Sequence, residues 1–217
     1  MTIISKVLPG DVIAAEQVGC FCGDLHAEEQ KVLGDAVPKR RMDFIAGRTC
    51  ARTALELLGS EVSPILRGPN REPLWPADIV GSITHCEGYC AAAVSYKRKY
   101  LGIGIDAEIN QALPDGIIDI VSLPEERQLL DQLLPRNRNW DRLLFSIKES
   151  VYKVWFPIQG SWLGFEDVIV KIDPSISAFE AYVQRVPLRD GSAAFSILRG
   201  RYFFGEHILT AIALPAG

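Results

Sequence analysis

Asp106 and Glu108 stand two residues apart at the end of an apolar stretch, Leu101–Asn110 (LGIGIDAEIN). Side chains two apart on an extended strand share a face, so the two carboxylates sit side by side. Adjacent carboxylates repel, and a divalent metal between them offsets that cost. A strand running into an acidic surface turn accounts for the same residues. Gly102 and Gly104 share the carboxylate face, where the pattern predicts open space, and Ile103, Ile105 and Ala107 point into a core. Further along, Glu149 and Lys153 are i, i+4 neighbours on a predicted helix. They supply a third carboxylate and an ammonium, or only a helix ion pair worth about 0.2–0.5 kcal/mol. Lys39, Arg40, Arg41, Arg48 and Arg52 form a basic cluster, with Arg67 and Arg71 close behind. Thr84 and His85 end a predicted strand, one hairpin before the carboxylates. Asp106, Glu108 and Glu149, with water and phosphate oxygens, would satisfy the hard octahedral preference of Mg²⁺. Arginines, a lysine and a histidine beside that ion suit a polyphosphate substrate, whose transfer is mostly positioning and charge neutralisation. The chain has no Walker loop, dinucleotide fingerprint or nucleophile elbow, which leaves the nucleophile to a second substrate.

These groups need elements to carry them. Pro38 opens a helix over Lys39–Leu58 and Gly59 ends it. Its apolar stripe is Ile45, Ala51, Ala54, Leu55 and Leu58, and Arg41, Arg48 and Arg52 line another face. A solvated basic face is the plain alternative for that arginine row. A shorter helix is predicted over Ala27–Leu33, and a strand over Pro64–Arg67 precedes the turn-rich loop Gly68–Pro76. Val80–Ser95 reads as two strands joined near Glu87–Gly88, and the carboxylate strand follows. A helix begins near Pro124–Glu126 and ends before Pro135. The next, Asn139–Phe156, has the stripe Trp140, Leu143, Leu144, Ile147, Val151 and Val154. Phe145, Lys148, Glu149, Tyr152 and Lys153 lie opposite that stripe, and Pro157 with Gly160 is expected to stop the helix. Strands follow at Asp167–Ile172, Phe179–Val186, Ala193–Leu198 and Ile208–Leu214.

The two strong helices echo each other: Phe44–Arg52 (FIAGRTCAR) can be laid along Phe145–Lys153 (FSIKESVYK). This suggests an α+β fold of two similar halves, 1–104 and 105–217, related by a pseudo-twofold axis. Asp106 and Glu108 then fall at the junction, in the cleft where pockets tend to form.

Composition sets the outer limits. The 217 residues are 48% hydrophobic and 23% charged, ordinary for a globular protein with a core. No run approaches the roughly 20 apolar residues that span a bilayer. The N-terminus lacks a signal-peptide pattern. A net charge of −4 with one basic patch points to a small anionic ligand rather than to nucleic acid. Five cysteines in no disulfide spacing fit reduced thiols in a cytoplasm. Cys20, Cys22 and His26 lack a visible fourth partner for zinc.

The segments GPNREPLWP, SITHC, GIGIDAE and FSIKESVYKVWF, in this order and spacing, resemble the 4′-phosphopantetheinyl transferases. They are most similar to the monomeric, two-half type that serves siderophore, polyketide and nonribosomal peptide synthesis. The resemblance implies transfer of the phosphopantetheine arm of coenzyme A to a serine of an apo acyl-carrier or peptidyl-carrier protein, releasing adenosine 3′,5′-bisphosphate. It implies Mg²⁺, or Mn²⁺ in its place, on Asp106, Glu108 and Glu149. Glu149 would also take the serine proton, with a metal-bound or bridging water as the alternative base. Lys153 and His85 would balance charge on the breaking pyrophosphate. By the same resemblance, Arg40, Arg48 and His85 bind the 3′-phosphate, and Arg67 stands where relatives often carry lysine. Arg71, Glu72 and Pro73 hold the adenine, and Thr84 joins the coenzyme A set. Phe145, Lys148, Tyr152 and Trp162 line the pantetheine and carrier side. Gly102 and Gly104 would give clearance to the pyrophosphate. A coenzyme A-binding protein without catalysis and a Mg²⁺-dependent nucleotide hydrolase remain alternative readings of the same residues.

Overall fold

The computed structural model describes residues 2–184 and 196–217. Among these residues, alternating helical and strand patterns fold into an α+β arrangement of five α-helices and ten strands in three antiparallel sheets. The first sheet has the order β1 (Ile13–Val18), β5 (Tyr89–Tyr96), β4 (Ile79–Cys86). Helix α2 (Pro38–Leu58) lies across it. Its buried face is small (Ala46, Cys50, Ala51, Ala54) and packs on Cys90, Ala92 and Val94 of β5, where the small side chains let the two backbones approach closely. Gly59 caps the helix in the left-handed region, φ +75°. Helix α1 (Ala27–Leu33) precedes α2, and a two-stranded ribbon, β2 (Leu66–Arg67) with β3 (Pro73–Leu74), brackets the turn-rich loop.

The second sheet has the order β6 (Tyr100–Ile109), β10 (His207–Pro215), β9 (Ile197–Phe204), β8 (Ala178–Val183), β7 (Val168–Asp173). Helix α5 (Trp140–Gln159) lies on β6 and β10 and buries the predicted stripe together with Trp155. Each such large apolar side chain contributes about 1.5–3 kcal/mol by leaving water. Two short helices, α3 (Ile117–Val121) and α4 (Pro124–Leu130), fill the connection from β6. The strand expected at Ala193–Leu198 lies partly outside the described residues, as does the end of the one expected at Phe179–Val186.

The two larger sheets meet at β4 and β6. Ser82 Oγ accepts the Ile105 N–H at 3.2 Å and Thr84 Oγ1 accepts that of Ala107 at 3.0 Å. Ile103, Ile105 and Ala107 point into a core shared with Tyr89, Ala91 and Ala93 of β5 and Leu209 and Ala211 of β10. β6 runs unbroken across positions 104 and 105.

Two local expectations are overturned. Gly102 and Gly104 do not leave open space. A Cβ on Gly104 would lie 2.1 Å from the Ser150 carbonyl oxygen and 2.8 Å from Val154, and one on Gly102 would lie 2.9 Å from Ile158. The glycines instead admit α5 against the strand, because a bare backbone is the only surface a helix can approach that closely. Nor does Pro157 stop α5, which continues to Gln159, where Gly160 caps it at φ +64°. A proline in the last turn forfeits one hydrogen bond, and the left-handed glycine sets the end. All five cysteines are free thiols, and among the described residues no helix is long and apolar enough to cross a membrane.

Candidate active site

Close contact between α5 and β6 brings Lys153 to Asp106. Lys153 Nζ donates to Asp106 Oδ1 at 2.7 Å and to the Ile105 carbonyl at 3.0 Å. Thr84 Oγ1 donates to the same carboxylate oxygen at 3.2 Å. Asp106 is 4% exposed, and its Oδ2 is buried with no hydrogen-bond partner. Glu108 Oε2 accepts from Arg142 Nη1 at 2.8 Å. Glu149 lies one turn before Lys153. Its carboxyl is pushed above the ordinary range, first by burial and then by the charge of Asp106, with Lys153 opposing. Glu108 is raised for the same two reasons, against the pull of Arg142. The three carboxylates therefore share one field. Their oxygens do not converge into a metal cluster among the described residues, since cationic side chains hold Asp106 and Glu108. The donor set nevertheless fits a hard divalent ion: three carboxylates, one of them presenting a buried, unpartnered oxygen.

Beside this acidic centre is a basic recess of about 420 Å³, lined by Arg40, Asp43, Phe44, Arg48, Arg67, Arg71, Pro73 and His85. Arg48 is 6% exposed. Its Nε donates to the Ile65 carbonyl at 2.7 Å and its guanidinium stands 4.3 Å over the Phe44 ring. Burial lowers its pKa to about 10, so it stays charged at neutral pH. Arg67 is lowered by burial and by the neighbouring charges of Arg40 and Arg71. Cations crowded this way repel, and an anion in the recess relieves the repulsion. His85 Nδ1 lies 3.9 Å from Asp43 Oδ2. The imidazole is shifted downward by desolvation, which Asp43 opposes and Lys153 reinforces.

The recess leads toward the carboxylates. A cavity of about 280 Å³ shares Arg71, Pro73 and Ile83 with it and is also lined by Glu72, Trp75, Glu149, Tyr152 and Lys153. Glu72 Oε2 accepts the Asn70 N–H at 2.9 Å, and Arg71 holds the left-handed turn at φ +73°. Beyond Glu149, a pocket of about 230 Å³ is formed by Lys148, Tyr152, Trp162, Leu163, Phe165 and their neighbours. Trp162 is 76% exposed, its ring 5.3 Å from that of Tyr152. Glu149 lines both cavities and stands where they meet.

Three expected contacts fall elsewhere. Thr84 is 2% exposed, and its hydroxyl is engaged by Asp106 and Ala107, which places it behind the carboxylate rather than in a cavity wall. Lys148 Nζ is buried against Glu126 Oε2 at 2.7 Å and the carbonyls of Val121 and Phe165 at 2.8 and 2.9 Å. All three of its donors are spent on holding the end of α3, α4 and the segment after α5 to the helix. Arg52 leaves the basic face for Glu29, at 2.5 Å, and the Asp24 carbonyl. Conversely, Asp43, Phe44 and Arg142 belong to the site and were not anticipated. Arg142 had a legible signal, lying i−7 from Glu149 on the same helical face.

A family model described as the 4′-phosphopantetheinyl transferase N-terminal domain matches residues 28–95, and one for the 4′-phosphopantetheinyl transferase superfamily matches residues 102–203. The chain is 42% identical to the 4′-phosphopantetheinyl transferase PptT of Mycobacterium tuberculosis, over 98% of both chains. It is 40% identical to Npt of Nocardia iowensis, over 97% of this chain and 99% of that one. To Svp of Streptomyces mobaraensis it is 42% identical, over 89% of this chain and 80% of the other. With both family models matched in sequence order and relatives aligned along nearly its whole length, the chain belongs to the 4′-phosphopantetheinyl transferase family.

Proposed function

We propose that coenzyme A lies along this trough, and that the geometry divides the established work of the family, transfer of 4′-phosphopantetheine from coenzyme A to a carrier protein, among named residues. The 3′-phosphate enters the basic recess against Arg40, Arg48, Arg67 and His85. The adenine rests on the Arg71–Pro73 turn. The pyrophosphate passes Lys153, and the pantetheine arm runs toward Tyr152 and Trp162. Residues 1–104 thus supply nucleotide contacts and residues 105–217 the acidic centre. Asp106, Glu108 and Glu149 would hold Mg²⁺, or Mn²⁺, which neutralises charge on the pyrophosphate oxygens when bound.

A serine hydroxyl is a poor nucleophile until a base takes its proton. Glu149 receives that proton. The serine oxygen bonds to the phosphorus bearing pantetheine, and the bond from that phosphorus to the bridging oxygen breaks. The electron pair leaves with adenosine 3′,5′-bisphosphate, whose new charge Lys153 meets. Both halves contribute to one trough, which supports a monomer as the acting unit, and five free thiols favour the cytoplasm. The carriers are acyl-carrier and peptidyl-carrier domains of siderophore, polyketide or nonribosomal peptide assembly, as the motif resemblance implies.

One observation carries this reading: Glu149 and Lys153 line the cavity that joins the cationic recess to the pocket of Tyr152 and Trp162. Intact-protein mass spectrometry tests it. Apo carrier protein with coenzyme A and Mg²⁺ gains about 340 Da, the mass of the transferred cofactor arm. Asp106→Ala keeps its circular dichroism spectrum and adds nothing. No adduct on any of a panel of carriers, or release of adenosine bisphosphate without a carrier, overturns the assignment.

A further inference from the structure

We infer that Arg142 is a positioning residue that sets Glu108 for the metal. This rests on the metal reading above. Arg142 lies in the first turn of α5 and is largely buried. Its guanidinium spans three acceptors: Glu108 Oε2 at 2.8 Å, the Gln111 carbonyl at 3.1 Å and the Ala112 carbonyl at 3.0 Å. The last two belong to the loop leaving β6, so one planar fork fixes the carboxylate and the chain beyond it together. Among the described residues no other side chain is hydrogen-bonded to the Glu108 carboxylate, whose charge interacts with that of Asp106 and that of Glu149. Two neighbouring contacts tie the same loop without touching Glu108. Asp141 Oδ2 accepts the Leu113 N–H at 2.7 Å, and Asn139 Nδ2 donates to Asn110 Oδ1 at 2.9 Å. Helix α5 therefore carries both Glu149 and the clamp on Glu108. Groups that hold a metal-binding carboxylate in place typically change metal affinity about 10–100-fold when removed.

The test uses the full chain saturated with coenzyme A, without carrier protein, and Mn²⁺ as probe, with free Mn²⁺ read by electron paramagnetic resonance. Wild type binds one Mn²⁺ and Asp106→Ala does not. If wild type binds none, the metal reading fails before Arg142 is judged. Arg142→Ala binds Mn²⁺ about 10–100-fold more weakly, while its affinity for coenzyme A measured without metal stays within about twofold. Arg142→Lys keeps the charge but loses the fork; it folds and weakens Mn²⁺ binding by several-fold, which keeps the inference testable if the alanine variant does not fold. Asp141→Ala severs the loop tie alone and leaves Mn²⁺ binding near wild type. Unchanged or tighter binding in both Arg142 variants overturns the inference, and so does an equal loss in Asp141→Ala, which would assign the effect to the loop.

Discussion

Gly104→Ala isolates the contact on which the site depends. The added Cβ would lie 2.1 Å from the Ser150 carbonyl oxygen and 2.8 Å from Val154 Cγ2. Ordinary contact begins near 3.4 Å, so helix and strand must part by roughly 1 Å. Neither obstacle is a flexible side-chain end, since one is helix backbone and the other a buried β-branched methyl. Overpacking of this kind costs about 1–3 kcal/mol, or roughly 2–12 °C in Tm for a chain of this size. The effect on catalysis is larger than that loss suggests. Ser150 lies between Glu149 and Lys153, and Lys153 reaches Asp106 at 2.7 Å. A displacement of about 1 Å breaks that geometry and lowers turnover by about 100-fold. Carrier-loading rates by intact-mass spectrometry, paired with calorimetry, give both numbers. A folded variant with wild-type turnover would show that α5 is not held against β6 by the bare glycine backbone, and the reasoning would fail.

Three further outcomes follow from the structure. Arg48→Ala should weaken binding of adenosine 3′,5′-bisphosphate by about 10–150-fold in isothermal titration, from the roughly 1.5–3 kcal/mol of a lost charge-assisted contact; unchanged affinity removes Arg48 from the recess. Lys148→Ala strands the buried Glu126 carboxylate and should cost about 3–5 kcal/mol in urea denaturation. Adding Glu126→Gln should recover part of that loss, and a double variant no more stable than the single one refutes the pairing. His85 has a lowered folded pKa, so below the unfolded value of about 6.5 the unfolded chain binds more protons. Its contribution to stability is therefore present above that value and lost as pH falls through the folded one. Bound phosphate favours the protonated ring, so affinity for adenosine 3′,5′-bisphosphate should rise over the same fall in pH. Wild type and His85→Ala showing parallel pH profiles would exclude the contact.

Much of the scaffold was legible because its signals are local. The 3.6-residue stripe of Asn139–Phe156 located α5, and Pro38 and Gly59 bracketed α2 within one residue. The hairpin of β4 and β5 turned at Glu87–Gly88 as its pattern required. Helix α3 escaped because five residues carry no usable period. What misled was partner choice. Lys148 and Lys153 both lie off the apolar stripe of α5, yet Lys148 meets Glu126 from α4 and Lys153 meets Asp106 from β6. Arg48 and Arg52 likewise diverge, one lining the recess and the other closing on Glu29. A cation on a helix pairs with whatever the fold brings to it, and periodicity holds no information about that.

The spacing of Asp106 and Glu108, the Glu149–Lys153 turn and the basic face of Lys39–Leu58 were determined by the chain alone, because strand and helix periods decide which side chains share a face. Only the tertiary structure decided that two glycines serve helix–strand contact rather than ligand clearance, that Thr84 backs Asp106, and that Arg142 clamps Glu108. Those outcomes depend on distances between elements far apart in sequence. Such distances are set by packing of the whole core, and a difference of about 1 Å in them separates an open strand face from one that a helix fills.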